Sequence, residues 1–271
     1  MMKEGRYRSS PDRRLVEGRH IRLCLYARHW PLLRNPGKWV EFLDDLYDTL
    51  TDLVGTDPYP HRILEIREVA PFNAWARMGN PIRWNSNGVP EELRLINAGD
   101  VGWGIPHEIS HDFDVRPACQ YYVGDVPAIN SEQWANLRLV YAFEKLSNSY
   151  PNATSYIGNL RRIPIAKIGT EYFVQRYAQP FISSRTTDWR NMNNDVFSGL
   201  LYVVKQDIGW EPFRQTFHDY QIRTFPRDLY ETDERRVSLL VTLLSNHAKQ
   251  DLFPRFQQWG FPITWVEPKE T

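Results

Sequence analysis

The chain has 271 residues, 42% of them hydrophobic and 14% aromatic, which suits one large domain or two associated lobes around a substantial core. Lys plus Arg and Asp plus Glu both number 33, a balance that gives no support for nucleic acid or an anionic membrane surface as the main partner. Two cysteines are too few for a disulfide framework, and no apolar run approaches the roughly 18 residues of a membrane-spanning helix.

Residues 1–18 are charged, lack periodicity and read as a loose arm. The basic start has no apolar stretch behind it, so it is not a secretory signal; either the protein stays inside the cell or a leader is missing from this chain. "HIRLCLYA" (20–27) alternates like a strand. In "PGKWVEFLDDLYDTLTDLVG", Trp39, Phe42, Leu43, Leu46, Leu50 and Leu53 recur at three and four, which predicts a helix stopped by Gly55. "HRILEIREV" (61–69) returns to strand, "PIRW" near Ile82 reads as an edge strand among turns, and a short helix is expected near Pro90–Ile96.

"GWGIPHEISHDFD" follows (Gly102–Asp114), with a helix expected near Ile105–Asp114. "NSEQWANLRLVYAFEKL" is a strong second helix capped by Asn130 or Ser131. Everything beyond it reads as helical, including segments that end at Gly209 and Gly260. There is no internal repeat or long linker. The domain reading is a single unit over 19–271, with an α/β lobe over 19–115 and a helical lobe over 116–271.

Residues i and i+4 share a helix face, so His107 and His111 can offer two imidazole nitrogens to one ion. Catalytic zinc takes three protein ligands plus a water, and Glu108 stands beside the ligands where it can take a proton from that water. The alternative is two surface histidines on an ordinary helix. The metzincin continuation is excluded, because Asp114 and Pro117 stand where that class needs Gly and His. A carboxylate from a following helix is the other common third ligand. Glu132 and Glu144 both lie on such a helix. Twelve helical residues span about 18 Å, so the two cannot serve one ion. Glu132 is preferred, although a glutamate at a helix start also simply meets the positive dipole end. Cys119 reads as a small apolar residue rather than a ligand. A bridge between Cys24 and Cys119 and a pair of buried thiols both stay open.

"GWGIPHEISHDF", "SEQWANL", "GLLYVVKQDIGWEPFRQTFHDYQ" and "LLVTLLSNHAKQDLFPRFQQWGFPI" together resemble the enhancin-type zinc metallopeptidases. These gluzincins include viral enhancins and bacterial mucin-degrading proteases. The resemblance runs from about Ile21 to Val266. It implies an α+β, zincin-like fold with a mixed α/β N-terminal lobe and an all-helical C-terminal lobe. It implies one Zn2+ per chain on His107, His111 and Glu132, with Glu108 as general base and acid. It also implies peptide-bond hydrolysis in glycoproteins, often mucin-like and O-glycosylated, and a secreted or cell-surface location for a protein expected to be a monomer. The alternatives are an inactive glycan- or protein-binding module of the same fold, or a zinc peptidase acting on non-glycosylated peptides.

The departures are Ser110, where the family usually has Gly, and Asp112 and Asp114, where Asn and Gln often stand. Either aspartate could orient a ligand imidazole or simply face water. His218, Tyr121 and Tyr122 are candidates for stabilising an oxyanion, each weighed against plain packing. His20, His29, His61 and His247 read as structural. Trp103, between two glycines, reads as a cleft wall, a platform for a sugar face or a core ring.

Overall fold

The computed structural model describes residues 8–9, 12–157, 161–184 and 188–269. Chain contacts divide it into two compact units. The first comprises 1–50, 57–112 and 142–166, and the second comprises 51–56, 113–141 and 167–271.

The first unit is built on a sheet of six strands, β1 (Arg8–Ser9), β2 (Arg13–Glu17), β3 (Ile21–Tyr26), β4 (Leu64–Val69), β5 (Ala76–Arg77) and β6 (Ile82–Asn85). Their spatial order is β1-β2-β3-β4-β6-β5. The inner pairs β3–β4 and β4–β6 are parallel, and the outer pairs are antiparallel. Parallel neighbours need a long crossover, and helix α1 (Pro36–Val54) supplies the one from β3 to β4. Ile21, Leu23 and Leu25 alternate onto one face of β3 and are fully buried, as are Leu43, Leu46 and Leu50 of α1. Asp44 of α1 accepts the backbone N–H groups of Arg19, His20 and Ile21 at 2.7, 2.9 and 2.9 Å, which fixes the turn into β3. Helices α2 (Val89–Asn97) and α3 (Gly104–His111) follow β6.

Three expectations are corrected in this unit. The loose arm fails over Arg13–Glu17, which pairs with β3 along its whole length; residues 1–7, 10 and 11 lie outside the described residues. Only Val16 of that strand is fully buried, and Arg22 pairs with Glu17 at 2.6 Å, so its pattern reads as polar. "PIRW" is not an edge strand, because β5 pairs beyond it with Ala76 opposite Trp84. The reach from 116 to 271 is not all helical. Strands β7 (Thr154–Ile157) and β8 (Arg161–Pro164) form an antiparallel pair that belongs with the first unit.

The second unit is helical throughout its described elements. It holds α4 (Cys119–Tyr122), α5 (Ser131–Leu146) as far as Tyr141, α6 (Gln179–Ser184), α7 (Asn194–Ile208), α8 (Glu211–Ile222), α9 (Asp233–Ala248) and α10 (Phe253–Gln258). Asn130 caps α5 by accepting the Glu132 N–H at 2.9 Å, and Asn193 caps α7 through the Val196 N–H at 2.8 Å. Gly209, at φ +76°, ends α7. The segment Gly169–Ala178 is a π-helix rather than an α-helix. Helix α7 approaches it closely, since a Cβ on Gly199 would lie 2.5 Å from the Phe173 carbonyl oxygen. Rings of Tyr122, Trp134, Phe197 and Phe217 meet edge to face in the core.

Cys24 and Cys119 are both free thiols. Among the described residues, no helix is long and apolar enough to cross a membrane.

Candidate metal centre

The lead into α3 is fixed by backbone bonds. Asp100 bridges Thr154 in parallel fashion, and the Val101 N–H donates to the Thr154 carbonyl at 2.9 Å. The Gly102 N–H donates to the Asp100 carboxylate at 2.7 Å, and the Ser155 hydroxyl donates to the Gly102 carbonyl at 3.0 Å. Glu92 of α2 is buried and accepts the N–H groups of Trp103 and Gly104. Burial pushes its carboxyl up to about 7, the charge of Asp100 adds to the rise, and the two N–H groups pull against it.

This geometry explains the glycines of "GWG". Gly102 sits at φ +80°, and a Cβ there would lie 2.5 Å from a Glu92 carboxylate oxygen. A Cβ on Gly104 would overlap the Trp75 ring, which lies over the start of α3. Trp103 points its ring at His107, with centroids 6.0 Å apart, and meets Phe143 edge to face at 6.1 Å. It is therefore a wall beside the first histidine.

Helix α3 lies against β5 and β6 and presents the two histidines as their spacing predicts. The Nε2 atoms of His107 and His111 are 3.0 Å apart, and the rings are perpendicular. Either one ring donates an N–H to the other, or both lone pairs meet a cation. His111 is buried, and His107 and Glu108 are half-buried. Glu132 is exposed in the first turn of α5. His107, His111 and Glu132 are a donor set that could hold a metal ion.

The donors fit such an ion. Two nitrogens at zinc bond lengths in a tetrahedral arrangement stand about 3.3 Å apart, close to the separation seen here. Two imidazoles and a carboxylate are also a ligand set that leaves a fourth position open. Neither Glu144 nor Cys119 belongs to the group.

The two aspartates after the motif have separate roles. Asp112 is buried; it accepts the Gly79 N–H at 2.7 Å and a hydrogen bond from Tyr59. It therefore does not face water, and it ties the end of α3 to the strand loop before β6. Burial raises its carboxyl to about 7, against the pull of those two donors. Asp114 pairs with the fully buried Arg138 at 2.9 Å. Sequence reading had no means of finding Glu92 or Tyr59, because their partners are not marked by any spacing.

The oxyanion candidates are placed in packing. Tyr121 and Tyr122 are buried among aromatic rings. His218 Nε2 meets the Asp52 carbonyl at 3.2 Å, where it caps the end of α1. His29 binds buried Glu68 at 2.6 Å, His20 binds Asp48 at 2.8 Å and His247 binds Asp219 at 2.9 Å, all structural pairings.

No family model matches the chain. It is 25% identical over 236 residues to TRPM8 channel-associated factor 2 of Mus musculus, covering 85% of this chain and 23% of that protein. It is 27% identical over 255 residues to the Homo sapiens protein of the same name, covering 90% of this chain and 24% of the relative. The chain thus spans about a quarter of the length of the curated relatives it matches. Among solved structures, a conserved Bacillus anthracis protein of unknown function superposes with a TM-score of 0.70 at 14% identity, over 94% of this chain and 50% of that one. A metallopeptidase from Bacteroides thetaiotaomicron superposes with a TM-score of 0.57 at 14% identity, over 93% of this chain and 42% of that one. At these identities the structures establish a shared α+β fold. The chain has a metallopeptidase as a structural neighbour and channel-associated factors as sequence relatives.

Proposed function

We propose that the chain is a metal-dependent peptidase unit, with His107, His111 and Glu132 holding one zinc ion and Glu108 serving as general base and acid. The observation that carries this reading is the His107–His111 pair, whose Nε2 atoms lie 3.0 Å apart on one helix with Glu108 next to the first histidine in sequence. The peptidase among the structural neighbours supports it. Zinc held by these residues would lower the pKa of a bound water to about 7 and polarise the scissile carbonyl. Glu108 then takes a proton from the attacking water and delivers it to the leaving amine. Trp103 walls His107 on one side, and the bonds from Glu92 and Asp100 hold the helix start in place. The finer reading, an endopeptidase for mucin-like O-glycosylated proteins, rests on the sequence resemblance to enhancin-type enzymes.

A second reading is a module of this fold that binds a protein or glycan without cleaving it. The names of its relatives, which describe association with a channel, favour it. Digestion of a mucin-type glycoprotein, before and after enzymatic deglycosylation, separates these readings. Cleavage that requires zinc and disappears in Glu108→Gln supports the peptidase, and its dependence on glycan tests the substrate class. Binding without any cleavage by zinc-loaded protein, equal in parent and Glu108→Gln, would establish the module instead.

A further inference from the structure

A cavity of about 410 Å³ opens in the first unit, at the start of α1. Its walls include the rings of Trp39, Phe42 and Tyr150, and its lining is mainly apolar. Arg34 and Lys38 stand on the same lining and are both exposed. Their backbone N–H groups are used, by Asn97 and Asn35 respectively. Their guanidinium and ammonium groups meet no hydrogen-bond or ion-pair partner among the described residues.

That charge arrangement is unfavourable by itself. Lys38 lies in the first turn of α1, where a cation opposes the helix dipole, and no acidic residue shares that turn. Arg34 adds a second positive charge just before the helix. Asp100 also lines the cavity, but its carboxylate takes the Gly102 N–H at 2.7 Å and faces Arg162 at 4.0 Å, so it does not neutralise the rim. Asp45 accepts the Tyr150 hydroxyl at 2.6 Å; the two cations at the helix start have no ion-pair partner among the described residues, and with the aromatic-walled recess they suit an anionic head on a compact apolar tail.

We propose that this cavity binds a carboxylate carrying a ring-sized apolar group, with the carboxylate between Arg34 and Lys38 and the ring against Trp39 and Phe42. The carboxylate belongs to a small free acid or to the C-terminus of a peptide ending in an aromatic residue. The proposal is independent of the metal reading.

Titration calorimetry on chelator-treated protein tests it without a metal to capture the acid. The probes are 3-phenylpropionate, 3-phenylpropanamide, and N-acetyl-alanyl-phenylalanine as free acid and as C-terminal amide. At least one acid is expected to bind roughly 10-fold or more tightly than its own amide. The Arg34→Gln/Lys38→Gln double variant should lose a similar factor for the acid while its melting temperature stays that of the parent. Binding of both acids assigns the site to carboxylate termini in general, and binding of the small acid alone assigns it to free acids. Either supports the proposal. Equal binding of acid and amide, an unchanged affinity in the double variant, or no binding of either acid at millimolar concentration would overturn it.

Discussion

The two units solve the problem of order in different ways. In the first, carboxylates reach across loops and hold backbone N–H groups: Asp44 holds the turn before β3, Glu68 holds Tyr26, Asp100 holds Gly102 and Glu92 holds the start of α3. The second has such a clamp too, where Asp233 accepts the Val126 N–H at 3.1 Å, but it also joins its helices through rings, with Trp134 central to the contacts of Tyr122, Phe197 and Phe217. Hydrogen bonds to buried N–H groups are directional and fix the loops that carry them, whereas ring packing sets helix spacing through broad close contact. The histidines sit where the carboxylate clamps are, at the end of a loop that precise chemistry would need held still.

The largest expected effect is on chemistry. Glu108→Gln should leave zinc content intact and lower peptide hydrolysis by roughly 10²- to 10⁴-fold, read as turnover on a cleaved substrate. Next comes the ring core. Trp134 is buried, with its indole N–H on the Tyr122 carbonyl at 2.7 Å, and Trp134→Ala should cost about 3–5 kcal/mol in denaturant unfolding. A clamp should cost less. Asp44→Ala strands the buried Ile21 N–H while water can reach Arg19 and His20, so about 2 kcal/mol is expected. If Asp44→Ala proved the more damaging of the two, the contrast between the units would be reversed.

The last effect is a slope with pH. Burial raises the folded pKa of Glu92 from 4.5 to about 7, so the folded chain keeps a proton that the unfolded chain releases. This contribution is fully present below about pH 4.5, declines as pH rises toward 7 and is level above it. Asp112 acts in the same direction. Unfolding free energies measured from pH 4 to 8 should therefore decline less steeply in Glu92→Gln than in the parent. An unchanged slope would show that Glu92 is not held protonated.

Where a pattern is local, sequence carried the reading. The three-and-four spacing of α1 and the four-residue spacing of His107 and His111 are properties of a few neighbouring positions, and the structure follows both. The fold was less legible where polar strands or unusual helices occur. Strand β2 is mostly half-buried Arg and Glu, the β7–β8 pair is short, and a π-helix has no signature in a 3.6-residue period. The supports of the candidate site were hidden for another reason. Glu92, Asp100 and Asp112 act on backbone N–H groups, and a backbone donor is the same at every residue. Only Gly102, which the approach of Glu92 requires, left a trace in the sequence.

The most direct test of the central claim is the amount of zinc bound per chain, measured on protein purified without chelator beside the Glu132→Ala variant. The account predicts about one zinc in the parent and a lost or much weakened site in the variant, with the fold of both unchanged. A parent that binds no metal when zinc is supplied, or a variant that holds it as tightly as the parent, would contradict the assignment of His107, His111 and Glu132 as a metal centre.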